Sequence, residues 1–145
     1  MILFSFEIEF EFRNKIKMNK LIIDVASEKI FLMIISNANI YNITHENTKI
    51  NYEKLTVIIN DFLLSKNIKI NDINAIYINQ GSGSFAGIRN SISVVKAFNV
   101  AKNIDYYCYN LDDFKDEKDL SYENIPNLCK EYKIKKNLIN PVYLS

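Results

Sequence analysis

All three glycines of this 145-residue chain, Gly81, Gly83 and Gly87, fall within seven positions of the stretch "INQGSGSFAGIRNS" at 78–91. Glycine gathers where a backbone must turn through positive φ or approach another backbone closely. This one loop therefore constrains the fold more than any other segment. It joins two stretches of different period. "INAIYIN" at 73–79 reads as a strand with Ile73, Ala75, Tyr77 and Asn79 on one face and Ile76 and Ile78 on the other. "FAGIRNSISVVKAFNVAKN" at 85–103 has helical spacing, with Ser84 placed to cap it. The spacing G-x-G-x-x-x-G departs from the dinucleotide fingerprint G-x-G-x-x-G, and no Lys-Ser/Thr pair follows as a P-loop requires. The expected role is structural: Gly81 and Gly83 supply positive φ in a sharp turn, and Gly87 lets the first helical turn approach another backbone.

The flanking segments supply the rest of an α/β fold. Short β-rich runs at 20–26, 29–36 and 39–44 are joined by tight connections and should pair antiparallel. At 51–67 the period changes, with Leu55, Ile58, Ile59 and Phe62 at helical spacing and Asn67 as the stop. A strand at 104–110 follows the second helix, so the order β-β-β-α-β-α-β predicts a mixed sheet: a meander first, then strands added through crossover helices. Beyond Asn110, "LDDFKDEKDLSYEN" reads as a charged, solvated linker. A weak helix around 120–132 and an extended "NPVYLS" end follow. At the other end, "FSFEIEFEF" at 4–12 alternates like a half-buried strand. Met18 then opens a new strand at once, so residues 1–17 read as a spurious or extra extension, and as a sticky edge strand if translated.

Composition excludes several classes of function. With 18 basic and 17 acidic residues the net charge is +1, which gives no electrostatic case for tight binding to nucleic acid or an anionic membrane by this chain alone. No apolar run approaches the ~18 residues that cross a bilayer, and no export signal is visible. Cys108 and Cys129 fit no C-x-x-C or zinc spacing and read as reduced small hydrophobes, which places the chain in the cytoplasm. His45 is the single histidine, so no His pair can hold a catalytic zinc, and with Glu46 it is expected in a solvated turn. Ser84, committed as a cap, makes a poor nucleophile.

The second helix carries more apolar surface than one sheet needs. At roughly 100° per residue, Arg89, Lys96, Asn99 and Asn103 share a narrow polar face. The remainder splits into a small arc of Gly87, Val94, Ala97, Phe98 and Ala101 and a bulky arc of Phe85, Ile88, Ile92 and Val95. Two stripes ask for two partners.

The residues 80–98, "QGSGSFAGIRNSISVVKAF", resemble the signature of the TsaB (YeaZ) family, G-P-G-S-F-T-G-[LV]-R followed by a small-residue helix. Ser82 replaces proline and Ala86 replaces threonine. "KLIIDVAS" at 20–27 is similar to the family's opening I-D-T-S-T, keeping Asp24 and Ser27. "NYEKL" at 51–55 is similar to H-S-E-x-L, and "NPVYLS" to the closing P-x-Y-L-R. The resemblance implies a single actin-like (ASKHA, ribonuclease H-like) domain at 18–110, with 111–145 as linker and tail where the family has a second domain. It implies a non-catalytic subunit, without a cofactor or metal of its own. Such a subunit binds a TsaD-like catalytic protein, with a TsaE-like ATPase, for threonylcarbamoyl transfer to N6 of the adenosine 3′ of the anticodon, and meets tRNA only through that complex. The family's dimer contact is a four-helix bundle, which assigns Leu55, Ile58, Ile59, Phe62, Phe85, Ile88, Arg89, Ile92 and Val95 to the partner and Gly81, Gly83, Ser84 and Gly87 to a structural loop. On that assignment the small arc packs inward and the bulky arc outward; the same helices can support a homodimer when the partner is absent. The alternative is a stand-alone actin-like phosphotransferase or nucleotide hydrolase, with Asp24 as metal or water ligand and the Gly81–Gly83 loop on phosphate. Against it stand the missing second domain and Val25 and Ala26 where a glycine would let phosphate approach.

Overall fold

The computed structural model describes residues 18–37 and 39–144; the alternating stretch at 4–12 lies outside them. Strands β1 (Asn19–Asp24), β2 (Lys29–Ile35) and β3 (Ile40–Glu46) form the antiparallel meander that their short connections predict. β3 runs further than expected and takes in His45 and Glu46, which therefore lie on a ladder and not in a turn. The reason is a cross-strand pair: Glu46 faces Lys29 in register, and their side chains meet at 2.7 Å.

The expected helix at 51–67 divides. A short α1 (Lys49–Glu53) is capped by Thr48, whose hydroxyl accepts from the Asn51 N–H at 3.2 Å; the chain kinks at Lys54 and restarts as α2 (Leu55–Ser65). Asn67 stops it in a left-handed conformation, φ 57°. β4 (Ile73–Asn79) then lies parallel to β1, as the crossover demands. The glycine loop forms a short β5 (Gly81–Ser84), α3 spans Phe85–Lys102, and β6 (Asp105–Tyr109) lies parallel to β4. The five-stranded sheet has the order β3-β2-β1-β4-β6.

Alternation along β1 and β4 sorts two cores. Leu21, Ile23, Ile76 and Ile78 face α2 and α3, and Ile22, Met33, Tyr77 and Tyr109 face the other way. Residues 111–134 cover that second face. Their charges point to solvent as expected, but Phe114, Ile125, Leu128 and Cys129 are buried beneath them, the last three on α4 (Ile125–Glu131). A final strand, β7 (Val142–Leu144), pairs with β5. Among the described residues no helix is long and apolar enough to cross a membrane.

Both cysteines are buried and unbridged, and burial pushes their thiols up from an ordinary value of 9.0 to about 12. A thiol whose folded value is raised contributes stability that is complete below the unfolded value and lost as pH climbs toward the folded one. The chain should therefore lose up to about 2 kcal/mol per thiol between pH 8 and pH 10.5. Urea unfolding at the two pH values measures the loss, and Cys108→Ala should lessen it by one thiol's share while that of Cys129 stays.

Candidate functional site

The glycine loop meets the segment that leaves β1. A Cβ on Gly87 would run into the carbonyl oxygen of Val25, and one on Gly83 into that of Ala26. Gly81 has φ +142°, a conformation that side chains resist. Gly83 is not at positive φ, contrary to the sequence expectation; its glycine is required by the closeness of Ala26. The Ser84 N–H donates to the Ala26 carbonyl at 2.9 Å, and the Ser84 hydroxyl caps α3 by accepting from the Gly87 N–H at 3.2 Å.

The pairing of β5 with β7 escaped the sequence reading. Gly81 stands opposite Val142 and Gly83 opposite Tyr143 in a parallel ladder. The Gln80 side chain accepts from the Asn140 N–H at 2.8 Å, and its backbone carbonyl accepts from the Val142 N–H at 2.9 Å. Tyr143 meets Phe85 edge to face at 4.7 Å. A glycine-serine strand carries no hydrophobic alternation to announce itself, and the only hint was the extended form that Pro141 imposes.

Asp24 closes β1 and is buried, 4% exposed. Its Oδ1 accepts from the Ala26 N–H at 3.0 Å, and its Oδ2 accepts from Asn79 Nδ2 at 3.2 Å and from the Tyr122 hydroxyl at 2.8 Å. Burial and the neighbouring Asp24 carboxylate both push the Tyr122 phenol upward, so it stays a neutral donor. Donors within the chain thus satisfy both oxygens of Asp24. Three of the loop's N–H groups are likewise engaged: Gly81 on Asn79 Oδ1 at 3.0 Å, Ser84 on Ala26, Gly87 on Ser84. Among the described residues no group of three or more His, Cys, Asp or Glu could hold a metal ion.

The helix faces depart from expectation in part: Gly87 and Phe98 of the small arc point inward as expected, but so do three residues of the bulky arc. Leu55, Ile59 and Phe62 of α2 and Ile88, Ile92 and Val95 of α3 are buried in the chain's own core; Ile58 is half-buried. Of the nine residues assigned to the partner, only Phe85 and Arg89 are exposed, with the guanidinium 5.7 Å from the Phe85 ring centre. The cause is a tertiary contact: Gly87 seats the first turn of α3 on Val25, which turns the adjacent branched side chains toward the sheet. The outward arc of α3 carries Ala86, Ser93, Ala97, Val100 and Ala101, flanked by Arg89 and Lys96. Beside it, α2 exposes Val57 and Leu64.

No protein-family model and no curated protein matches the chain. Solved structures do. YeaZ from Pseudomonas aeruginosa superposes with a TM-score of 0.60 at 18% identity, over 68% of this chain and 46% of that one. The chain shares the fold of YeaZ. A second Pseudomonas aeruginosa structure, of a protein described as similar to peptidase YeaZ, matches with the same values. RuvC of T. thermophilus, in complex with a Holliday junction substrate, matches at a TM-score of 0.50 and 9% identity over 85% of this chain and 83% of its own. The fold is therefore ribonuclease H-like, and the chain spans about half the length of the YeaZ structures it matches.

Two substitutions test the geometry of the loop and the carboxylate. Gly87→Ala must displace backbone and should cost about 3 kcal/mol, the upper end of overpacking. Tyr122→Phe should cost about 2 kcal/mol by removing a donor to a buried carboxylate. Denaturant unfolding of both variants against the parent chain gives the values.

Proposed function

We propose that this chain is a TsaB-like, non-catalytic subunit that docks on a TsaD-like catalytic protein and activates threonylcarbamoyl transfer to N6 of the adenosine 3′ of the anticodon. A TsaE-like ATPase completes the assembly, tRNA is met only through the complex, and the compartment is the cytoplasm. The observation that carries the reading is the loop Gly81–Arg89 on a YeaZ fold. The residues that resemble the family signature are those whose geometry this fold requires, with Gly83 and Gly87 pressed on the backbone after β1 and Ser84 capping α3. The enzymatic alternative is less well supported, because Asp24 and three of the loop's N–H donors are already engaged.

The docking surface we assign is the outward side of the two helices: Val57 and Leu64 of α2, and Ala86, Ala97 and Val100 of α3, with Phe85 and Arg89 at its edge. Val100 is 86% exposed. Small residues on α3 allow a partner helix to approach closely, and the adjacent Val57 and Leu64 supply apolar area. A second copy of the chain can occupy the same surface when the partner is absent.

Light scattering on size-exclusion fractions tests this, with the chain alone and mixed with the TsaD-like protein of the same genome. A one-to-one complex is expected; separate peaks at micromolar concentration would overturn the reading. Val100→Glu and Leu64→Glu should abolish the complex while changing unfolding by less than about 0.5 kcal/mol. Ile88→Glu should unfold the chain, since an unpaired charge in the core costs several kcal/mol.

A further inference from the structure

The sheet face opposite α2 and α3 is covered only in part. Residues 111–134 shield the end that holds Asp24 and Tyr109, and where that cover stops a cleft of about 480 Å³ opens between the sheet and α4. Its floor is aromatic. Tyr77 of β4 and Tyr107 of β6 are register partners, and their rings stack with centres 5.1 Å apart. Its walls are cationic. Lys20 rises from β1, and Lys130 and Lys133 come from α4 and the turn after it, with Asn127 between. No Asp or Glu lines the cleft.

Two observations set this cleft apart from an ordinary surface groove. Among the described residues the ion pairs are Lys29–Glu46 and Lys136–Asp105, so none of the three ammonium groups of the cleft has a carboxylate partner. Tyr77 lines the cleft, and its hydroxyl makes no hydrogen bond to another described residue but reaches solvent there. Burial of the ring holds this phenol neutral. Three unpaired cations around an aromatic floor form a site with its positive charge unspent.

The chemistry of the occupant follows from the lining. Three separate lysines, and no arginine fork, suit the point charges of a phosphate more than the planar edge of a carboxylate. The volume is far larger than phosphate alone requires and falls within the ~300–1,000 Å³ range of small-molecule sites. Tyr107 is half-buried, and its ring beside Tyr77 offers aromatic surface on which a planar base can lie. We propose that this cleft binds a nucleoside monophosphate, with its phosphate among Lys20, Lys130 and Lys133 and its base along the Tyr77–Tyr107 wall. The site lies across the sheet from the helical surface assigned to a protein partner, so the two readings stand or fall separately.

Amide chemical shifts of the full chain at low salt, titrated with each of AMP, GMP, CMP and UMP, test it. Saturable shifts at Lys20, Tyr77 and Tyr107 are expected for at least one of them, with a Kd below about 1 mM. The corresponding nucleoside and inorganic phosphate should each bind at least tenfold more weakly. Lys130→Gln with Lys133→Asn, the asparagine chosen because Lys133 has φ 54°, should weaken the nucleotide tenfold or more and leave the melting curve unchanged. Tyr107→Ala should weaken the nucleotide and spare whatever affinity phosphate shows. Absence of saturable shifts with all four nucleotides, equal affinity for phosphate alone, or indifference to the lysine pair would overturn the proposal.

Discussion

The fold depends on one backbone lying against another. Val25 and Ala26, as they leave β1, present carbonyl oxygens to Gly87 and Gly83 at a separation that leaves no room for a Cβ. That contact fixes how low α3 sits on the sheet and which of its arcs turns inward. It also uses the Ala26 carbonyl as acceptor for Ser84, so the strand exit, the loop and the helix cap share the same few atoms. Neither neighbour can be moved without the other. A chain with only three glycines has placed all of them at this junction or the turn that enters it.

Asp24 extends the same junction to the opposite face of the sheet. A buried carboxylate is tolerable only when donors replace its lost water, and here those donors come from three places in the sequence: Ala26 beside it, Asn79 at the end of β4, and Tyr122 ahead of α4. The last bond ties the C-terminal segment to the first strand. Stacking of Phe31 on Tyr122, with ring centres 4.0 Å apart, reinforces the tie. The segment beyond Asn110 is thus integral to the core, with Phe114, Leu128 and Cys129 buried on the face it covers. Its charges are those of an outer surface laid over an apolar inner one.

Much of this was legible in the sequence, and what was not has physical causes. β4 follows from its alternation, and Asn67 and Ser84 mark helix ends as their side chains predict, because each signal is local. The break at Lys54 was missed, since α1 and α2 share one apolar period across it. The β5–β7 ladder was missed because its register is set by a partner about sixty residues away and not by side-chain pattern. The bulky arc of α3, expected outward, turns largely inward for a related reason. Periodicity shows that two stripes exist, but which one faces the sheet is decided by where Gly87 presses on Val25, a tertiary contact. The cleft was invisible altogether: Lys20, Tyr77, Tyr107 and Lys133 belong to three strands and a turn, and no spacing links them.

The inward turn of Ile88, Ile92 and Val95 leaves small side chains on the outer side of α3. Had the bulky arc faced outward, the helix would expose Ile88, Ile92 and Val95, large side chains that hold another helix away. With those turned in, the outward arc presents Ala86, Ser93, Ala97 and Ala101. A helix packed against such a surface can reach the short end of the ~8–10 Å range of interaxial distances. Closeness alone gives little orientation, because small residues interlock weakly. Val100 near one end, Phe85 at the other and Arg89 with Lys96 along a flank supply the asymmetry that sets direction. On the far side of the sheet, charge gathers around an aromatic floor. The two sides of one sheet thus offer unlike surfaces, one of small apolar side chains and one of lysines around tyrosine rings.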